Sequence, residues 1–169
     1  MAEALLIDTL RAVCLAGADR RVLYLDGPVG PWLPAGFDVV AQTGGGLDVR
    51  LGAALSHCEG PVLLIGMDTP QVHAALLDEA RDALLAPGTD AVLGPATDGG
   101  FWALGLREPD PALVVGVPMS VPSTGALQRA LLDEAGLQVH DPPALRDVDT
   151  PADAAAVASV LPGSEFART

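Results

Sequence analysis

The segment that most narrows the folds open to this chain is Val62-Leu63-Leu64-Ile65, closed by Pro61 and Gly66. An unbroken apolar run of strand length belongs to a strand covered on both faces, as in a parallel sheet between helices. The rest of the chain alternates in the same sense. Glu3 to Ala16 carries Leu6, Ile7, Leu10, Val13 and Cys14 at helical spacing, and Gly17 ends it. Arg21 to Leu25 and Phe37 to Val40 read as strands on either side of a Pro- and Gly-rich loop, and Leu47 to His57 as a helix. Thr69 and Pro70 fit the N-cap and first residue of a helix running to Leu85, which Pro87-Gly88 breaks. Ala91 to Gly94 and Phe101 to Leu106 are strands, Gly125 to Ala135 a helix, Leu137 to His140 and Leu145 to Val148 short strands, and Pro151 to Leu161 the last helix. The expectation is one three-layer α/β/α domain over residues 1–162, with a mainly parallel sheet and a tail at 163–169.

Composition removes several function classes. Half of the 169 residues are apolar but only 4% aromatic, so the core must be built from Ala, Val and Leu. No apolar run approaches the ~20 residues that cross a bilayer, and Glu3, Asp8 and Arg11 rule out a secretory signal at the start, so a cytoplasmic address is expected. The net charge is −13, every one of the nine basic residues is arginine, and lysine is absent. That balance lacks the basic footprint of a nucleic-acid binder and leaves room for a small anionic ligand bridged by a metal ion. Cys14 and Cys58 lie far apart and read as reduced thiols, and His57, His73 and His140 show no metal-ligand spacing.

In an open parallel sheet, ligands collect at the carboxyl ends of strands. Four polar loops fall there, and each admits a plainer reading. In Gly66-Met67-Asp68-Thr69-Pro70, Asp68 can hold a divalent cation beside a helix N-terminus, or the loop is simply a cap. In Asp98-Gly99-Gly100, the glycines let backbone approach a ligand and Trp102 offers a flat face, or the segment is an ordinary turn between strands. Asp147 and Asp149 alternate onto one strand face, where two carboxylates need a cation or an Arg between them; alternatively Asp149 or Thr150 caps the last helix. Gln42-Thr43-Gly44-Gly45-Gly46, followed by Arg50, can cradle a phosphate or a base but matches no phosphate-loop or dinucleotide fingerprint. Ser120 and Ser123 lack a hydrolase elbow and read as turn or capping residues.

Taken in order, Gly66-Met67-Asp68-Thr69-Pro70, then Gly94 to Gly100, then Pro118-Met119-Ser120, then Asp147-Val148-Asp149-Thr150-Pro151 resemble a bacterial glycosyltransferase-like family. That family lies in the nucleotide-diphospho-sugar transferase superfamily, and the resemblance runs from the first helix to about Phe166. It implies a GT-A type, Rossmann-like fold and a nucleotide or nucleotide-sugar donor bound with Mg²⁺ or Mn²⁺. By similarity, Asp68 would be a catalytic, metal-binding aspartate and Asp149 the second carboxylate on the metal. Asp98, Gly99, Gly100, Trp102 and Ser120 would line the acceptor or sugar side, with Asp98 also catalytic. Gln42, Gly44, Gly45, Gly46 and Arg50 would approach the base.

Relatives open with a strand and a phosphate loop rich in Pro, Gly, Lys and Arg, whereas this sequence starts within the helix that follows. The expectation is an unpaired edge at the Tyr24 or Val62 strand, completed by closure of the sheet or by a second chain in a homodimer, and weak or no catalysis. Arg50 and Arg107 are the candidates to replace the loop's cations. Three functions remain open: a metal-dependent transferase, a non-catalytic accessory protein that retains the fold, and a phosphohydrolase using Asp68 and Asp149.

Overall fold

The computed structural model describes residues 2–146, so the sequence-based strand and helix beyond Arg146, with Asp147 and Asp149, lie outside the described residues. The chain divides into two compact units.

Among the described residues, the first comprises those up to Ala41, Gly66–Asp78 and Arg146. Its helix α1 (Ala2–Leu15) buries Leu5, Leu10 and Ala12. Strands β1 (Val22–Leu25) and β2 (Asp38–Ala41) pair in parallel, Val22 opposite Asp38. The carboxyl end of α1 is closed from outside the helix: the Arg21 guanidinium donates to the carbonyls of Val13 (3.0 Å), Cys14 (3.4 Å) and Ala16 (3.2 Å). These are the orphan acceptors that any helix leaves in its last turn, and a cation there also meets the negative end of the helix dipole.

The second unit, Gln42–Ile65 and Glu79–Leu145, carries the larger sheet. Strands β3 (Val62–Ile65), β4 (Ala91–Pro95), β5 (Phe101–Leu106) and β6 (Val139–His140) are ordered β3-β5-β4-β6. Helices α2 (Leu47–Leu55) and α4 (Thr124–Glu134) also belong to this unit, and α3 (Ala74–Leu85) ends in it. On one sheet face Ala91, Leu93, Leu104 and Leu106 pack with Leu55 of α2 and Leu132 of α4. On the other, Val92 meets Ala80 and Leu84 of α3. Burying each such leucine contributes about 1.5–3 kcal/mol, and the alternation along β4 shows why Ala91-Val92-Leu93 is apolar at every position. Gly105 makes room for the side chains that cover it, because a Cβ there would sit 3.1 Å from Val92 of β4, 3.2 Å from Leu63 of β3 and 3.4 Å from Leu84 of α3.

The expectation of a mainly parallel sheet is corrected here: the sheets are small and mixed. β5 runs antiparallel to both β3 and β4, while β4 and β6 are parallel. The reason is chain length. The connection 96–100 is far too short for the crossover of a dozen or more residues that parallel neighbours require, so β5 must return as a hairpin. Gly99, at φ +95°, supplies the turn, and the Ala96 carbonyl accepts from the Gly99 amide at 3.1 Å. Strands β3, β4 and β6 still point the same way, and the order leaves β3 at an edge of its sheet.

A second correction concerns α3. It starts at Ala74, not at Pro70. The Val72 amide donates to the Thr69 carbonyl at 3.0 Å, so Thr69-Pro70-Gln71-Val72 is a turn of its own. The cap is His73, whose Nδ1 accepts from the Leu76 amide at 3.2 Å.

Candidate functional site

Asp68 belongs to the first unit, in the loop that leaves β3, and is exposed. The Asp68 carboxylate folds back over Gly66, where a Cβ would lie 2.7 Å from Asp68 Oδ1. Thr69 is 1% exposed and anchors the loop, while the Met67 carbonyl accepts from Thr9 Oγ1 at 3.4 Å. The result is an exposed carboxylate on a pinned loop. Among the described residues no group of three or more His, Cys, Asp or Glu could hold a metal ion as a preformed cage. A single carboxylate still suits Mg²⁺ or Mn²⁺ delivered with phosphates, because such ions take one or two protein carboxylates and fill the remaining positions with phosphate and water.

The remaining described candidates lie in the second unit. Gln42 and Arg50 are brought together, Arg50 Nη1 donating to Gln42 Oε1 at 3.0 Å. Gly44, Gly45 and Gly46 between them are exposed, with Gly45 at φ +111°. The N-terminus of α2 just beyond is occupied by its own Asp48. That carboxylate accepts from the Gly116 amide at 2.9 Å, which holds its pKa below the usual range; bonds from the Val49 and Asp48 amides act in the same direction. A carboxylate already seated on these donors repels phosphate, so the glycine loop is better suited to a base than to a phosphate.

The Asp98-Gly99-Gly100 turn is a rigid hairpin tip. Asp98 Oδ1 accepts from the Gly100 amide at 2.8 Å, and the Gly99 carbonyl accepts from the Gly125 amide at the start of α4, also at 2.8 Å. A Cβ on Gly99 would overlap the Pro122 carbonyl, and one on Gly125 would lie 2.6 Å from the Gly100 carbonyl. Close packing of two loops therefore accounts for Gly99. Ser120 precedes this contact at φ +58°, a left-handed conformation rare for a residue with a Cβ, and it is exposed.

Two readings of side chains change. Trp102 is 1% exposed; its Nε1 donates to the Pro143 carbonyl at 3.1 Å, and its ring lies against Gly94. It is a core residue with no face open to a ligand. Arg107 is not a phosphate-binding cation: it donates to the carbonyls of Leu84 (2.6 Å), Ala86 (2.6 Å) and Thr89 (2.8 Å), closing the end of α3 as Arg21 closes α1. Sequence reasoning also missed Arg129 and Asp141, whose side chains meet with Nη1 2.7 Å from both carboxylate oxygens. Arg129 and Asp133, one helical turn apart, mark a charged face of α4, but the sequence carries no signal that joins them to Asp141.

Comparisons with known proteins bear on the family and the fold. A search of curated proteins returns no significant match. Among solved structures, a protein of Desulfovibrio desulfuricans G20 provisionally named a nucleotide-diphospho-sugar transferase is 26% identical, with a TM-score of 0.84 over 99% of this chain and 77% of that one. CMP:2-keto-3-deoxy-manno-octonic acid synthetase complexed with CTP matches at a TM-score of 0.66 and 15% identity, over 94% of this chain and 87% of that one. Rv0371c of Mycobacterium tuberculosis H37Rv, in complex with manganese, matches at 0.57 and 22%, over 90% and 84%. These likenesses establish an α/β fold of the nucleotide-diphospho-sugar transferase type. A family model described as an uncharacterized protein conserved in bacteria matches residues 4–121, and the chain belongs to that family, DUF2064.

Proposed function

We propose that this protein is a transferase-type protein that binds a nucleotide or nucleotide sugar together with Mg²⁺ or Mn²⁺. The observation that carries the reading is the match to the Desulfovibrio protein along 99% of this chain. The CTP and manganese named for the two more distant structures fit the same ligand class. In this reading Asp68 holds the cation, with Asp149 as its second carboxylate. When bound, the ion would neutralise phosphate charge and stabilise the charge that develops on the leaving group. The Gly44 to Gly46 loop meets the base, with Gln42 and Arg50 beside it. Asp98 and Gly100 present the acceptor side on a tip too rigid to drift.

The committed arginines favour a second reading, a non-catalytic protein that keeps the fold. Arg21 and Arg107 are taken up by helix ends, so neither is a ready phosphate clamp. A thermal-shift panel of nucleoside diphosphates, triphosphates and nucleotide sugars, with and without Mn²⁺, separates the two. Binding to the native state at a hundredfold excess over Kd should add about 2.7 kcal/mol of apparent stability. A metal-dependent shift with one nucleotide class, lost in Asp68→Ala, supports the transferase reading. Unchanged melting with every nucleotide supports the second.

A further inference from the structure

We propose that a crevice between β4, β6 and α4 binds one uncharged, hexose-sized polyol, its ring over Leu93 and Pro95 and its hydroxyls on Arg129 and Asp141. β6 pairs with β4 only at Ala91–Val139 and Val92–His140. The chain then leaves the sheet and returns at the Ala96–Leu145 bridge. The gap has a volume of about 290 Å³ and is lined by Leu93, Pro95, Gly100, Gly125, Arg129 and Asp141. It opens at the carboxyl ends of two parallel strands, where sheets of this kind hold ligands. Its size is at the low end for small-molecule sites and admits a single ring.

The donor set narrows the chemistry. The Gly100 amide is engaged by Asp98 and the Gly125 amide by the Gly99 carbonyl, so polar recognition falls to Arg129 and Asp141. Arg129 Nη1 meets both Asp141 oxygens at 2.7 Å, and its Nε meets Asp133 at 3.0 Å. Two carboxylates around one guanidinium leave the mouth negative, which repels phosphate and carboxylate ligands. An ammonium would use only the acceptors and be opposed by the guanidinium. A vicinal diol uses adjacent donor and acceptor together, while the C–H face of its ring covers Leu93 and Pro95. The ion pair that must yield is half-exposed, and such pairs contribute little to stability. The crevice is an acceptor site only if the transferase reading holds; polyol binding itself does not depend on it.

The test is amide-resolved NMR of the intact chain titrated with glucose, galactose, mannose and myo-inositol, with gluconate and glucosamine as charged controls. The expected result is a saturable shift of the Gly100 and Gly125 amides by at least one neutral polyol, with an affinity in the millimolar range. The charged controls and Asp141→Ala should each bind at least about tenfold more weakly, the variant keeping its circular dichroism and melting point. Three results would overturn the proposal: no saturable shift up to roughly 100 mM, far above the expected affinity; an unchanged Kd in Asp141→Ala; or gluconate binding as well as glucose. UDP-glucose and CTP form the last arm. Shifts of these amides by UDP-glucose but not CTP identify the sugar of a donor as the occupant. Failure of both nucleotides while a free polyol binds removes the transferase reading and leaves the polyol site standing.

Discussion

Replacing Arg107 by methionine removes the cation that closes α3 while keeping most of the buried stem. Three donor–carbonyl bonds are lost, at 2.6, 2.6 and 2.8 Å. A hydrogen bond to a charged group contributes about 1.5–3 kcal/mol when dry, but carbonyls at a half-exposed helix end regain water, so about 1 kcal/mol each is the better figure. Loss of the helix-dipole interaction adds roughly 0.5 kcal/mol. The expected destabilisation is therefore about 3.5 kcal/mol. Urea unfolding followed by circular dichroism reads this directly: at a slope of about 2 kcal/mol/M the midpoint falls by roughly 1.7 M with the slope unchanged. Arg107→Lys keeps the charge, but one ammonium cannot reach three carbonyls fanned around a planar guanidinium, so about a third of the loss should return. A cost under about 1 kcal/mol for the methionine variant, or full stability in the lysine variant, would refute the capping role.

Three further outcomes follow from the same contacts. Gly99→Ala forces a Cβ into the Pro122 carbonyl at φ +95° and should cost about 2–4 kcal/mol in urea unfolding, whereas Gly88→Ala, at φ +85° with open space around it, should cost about 1 kcal/mol. Trp102→Phe removes the bond to Pro143 and opens space beside Gly94, for a loss of about 2 kcal/mol, and leaves nucleotide binding unchanged because the ring faces the core. Asp48, with its folded pKa lowered by the Gly116 amide, contributes stability that is present above the unfolded carboxylate pKa of ~4 and lost as pH falls through the lower folded value. Urea midpoints measured from pH 5 down to 2.5 should fall less steeply in Asp48→Asn than in the parent, and equal slopes would contradict this.

Much of the fold could be read from the residues because burial writes itself into short apolar runs. Val62 to Ile65 and Phe101 to Leu106 are strands with the expected bounds, and α1, α2 and α4 lie within a residue or two of theirs. The direction of β5 escaped because alternation of strands and helices was given more weight than the brevity of the 96–100 connection. The start of α3 escaped because Thr69-Pro70 is as good a turn as a helix start, and a histidine is an unusual cap. The site was less legible. An aromatic after two glycines reads as a platform until Gly94 is seen to face it across the hairpin, which makes Trp102 core. Arg21 and Arg107 bond to backbone carbonyls, and acceptors present at every residue leave no mark in a sequence. Gln128 is a similar case: fully buried in α4, it donates to the Leu113 carbonyl at 2.6 Å, a role that polarity alone would place at the surface.

Whether Asp68 holds a divalent cation together with a nucleotide is tested most directly by paramagnetic broadening. Amide spectra of the intact chain would be recorded with CTP or UDP-glucose while substoichiometric Mn²⁺ is added. If Asp68 holds the ion, the Met67, Asp68 and Thr69 amides broaden first and only with nucleotide present, and the effect disappears in a folded Asp68→Ala variant. Broadening that is absent, that spreads evenly over the acidic surface, or that persists in Asp68→Ala would contradict a metal–nucleotide site on this loop.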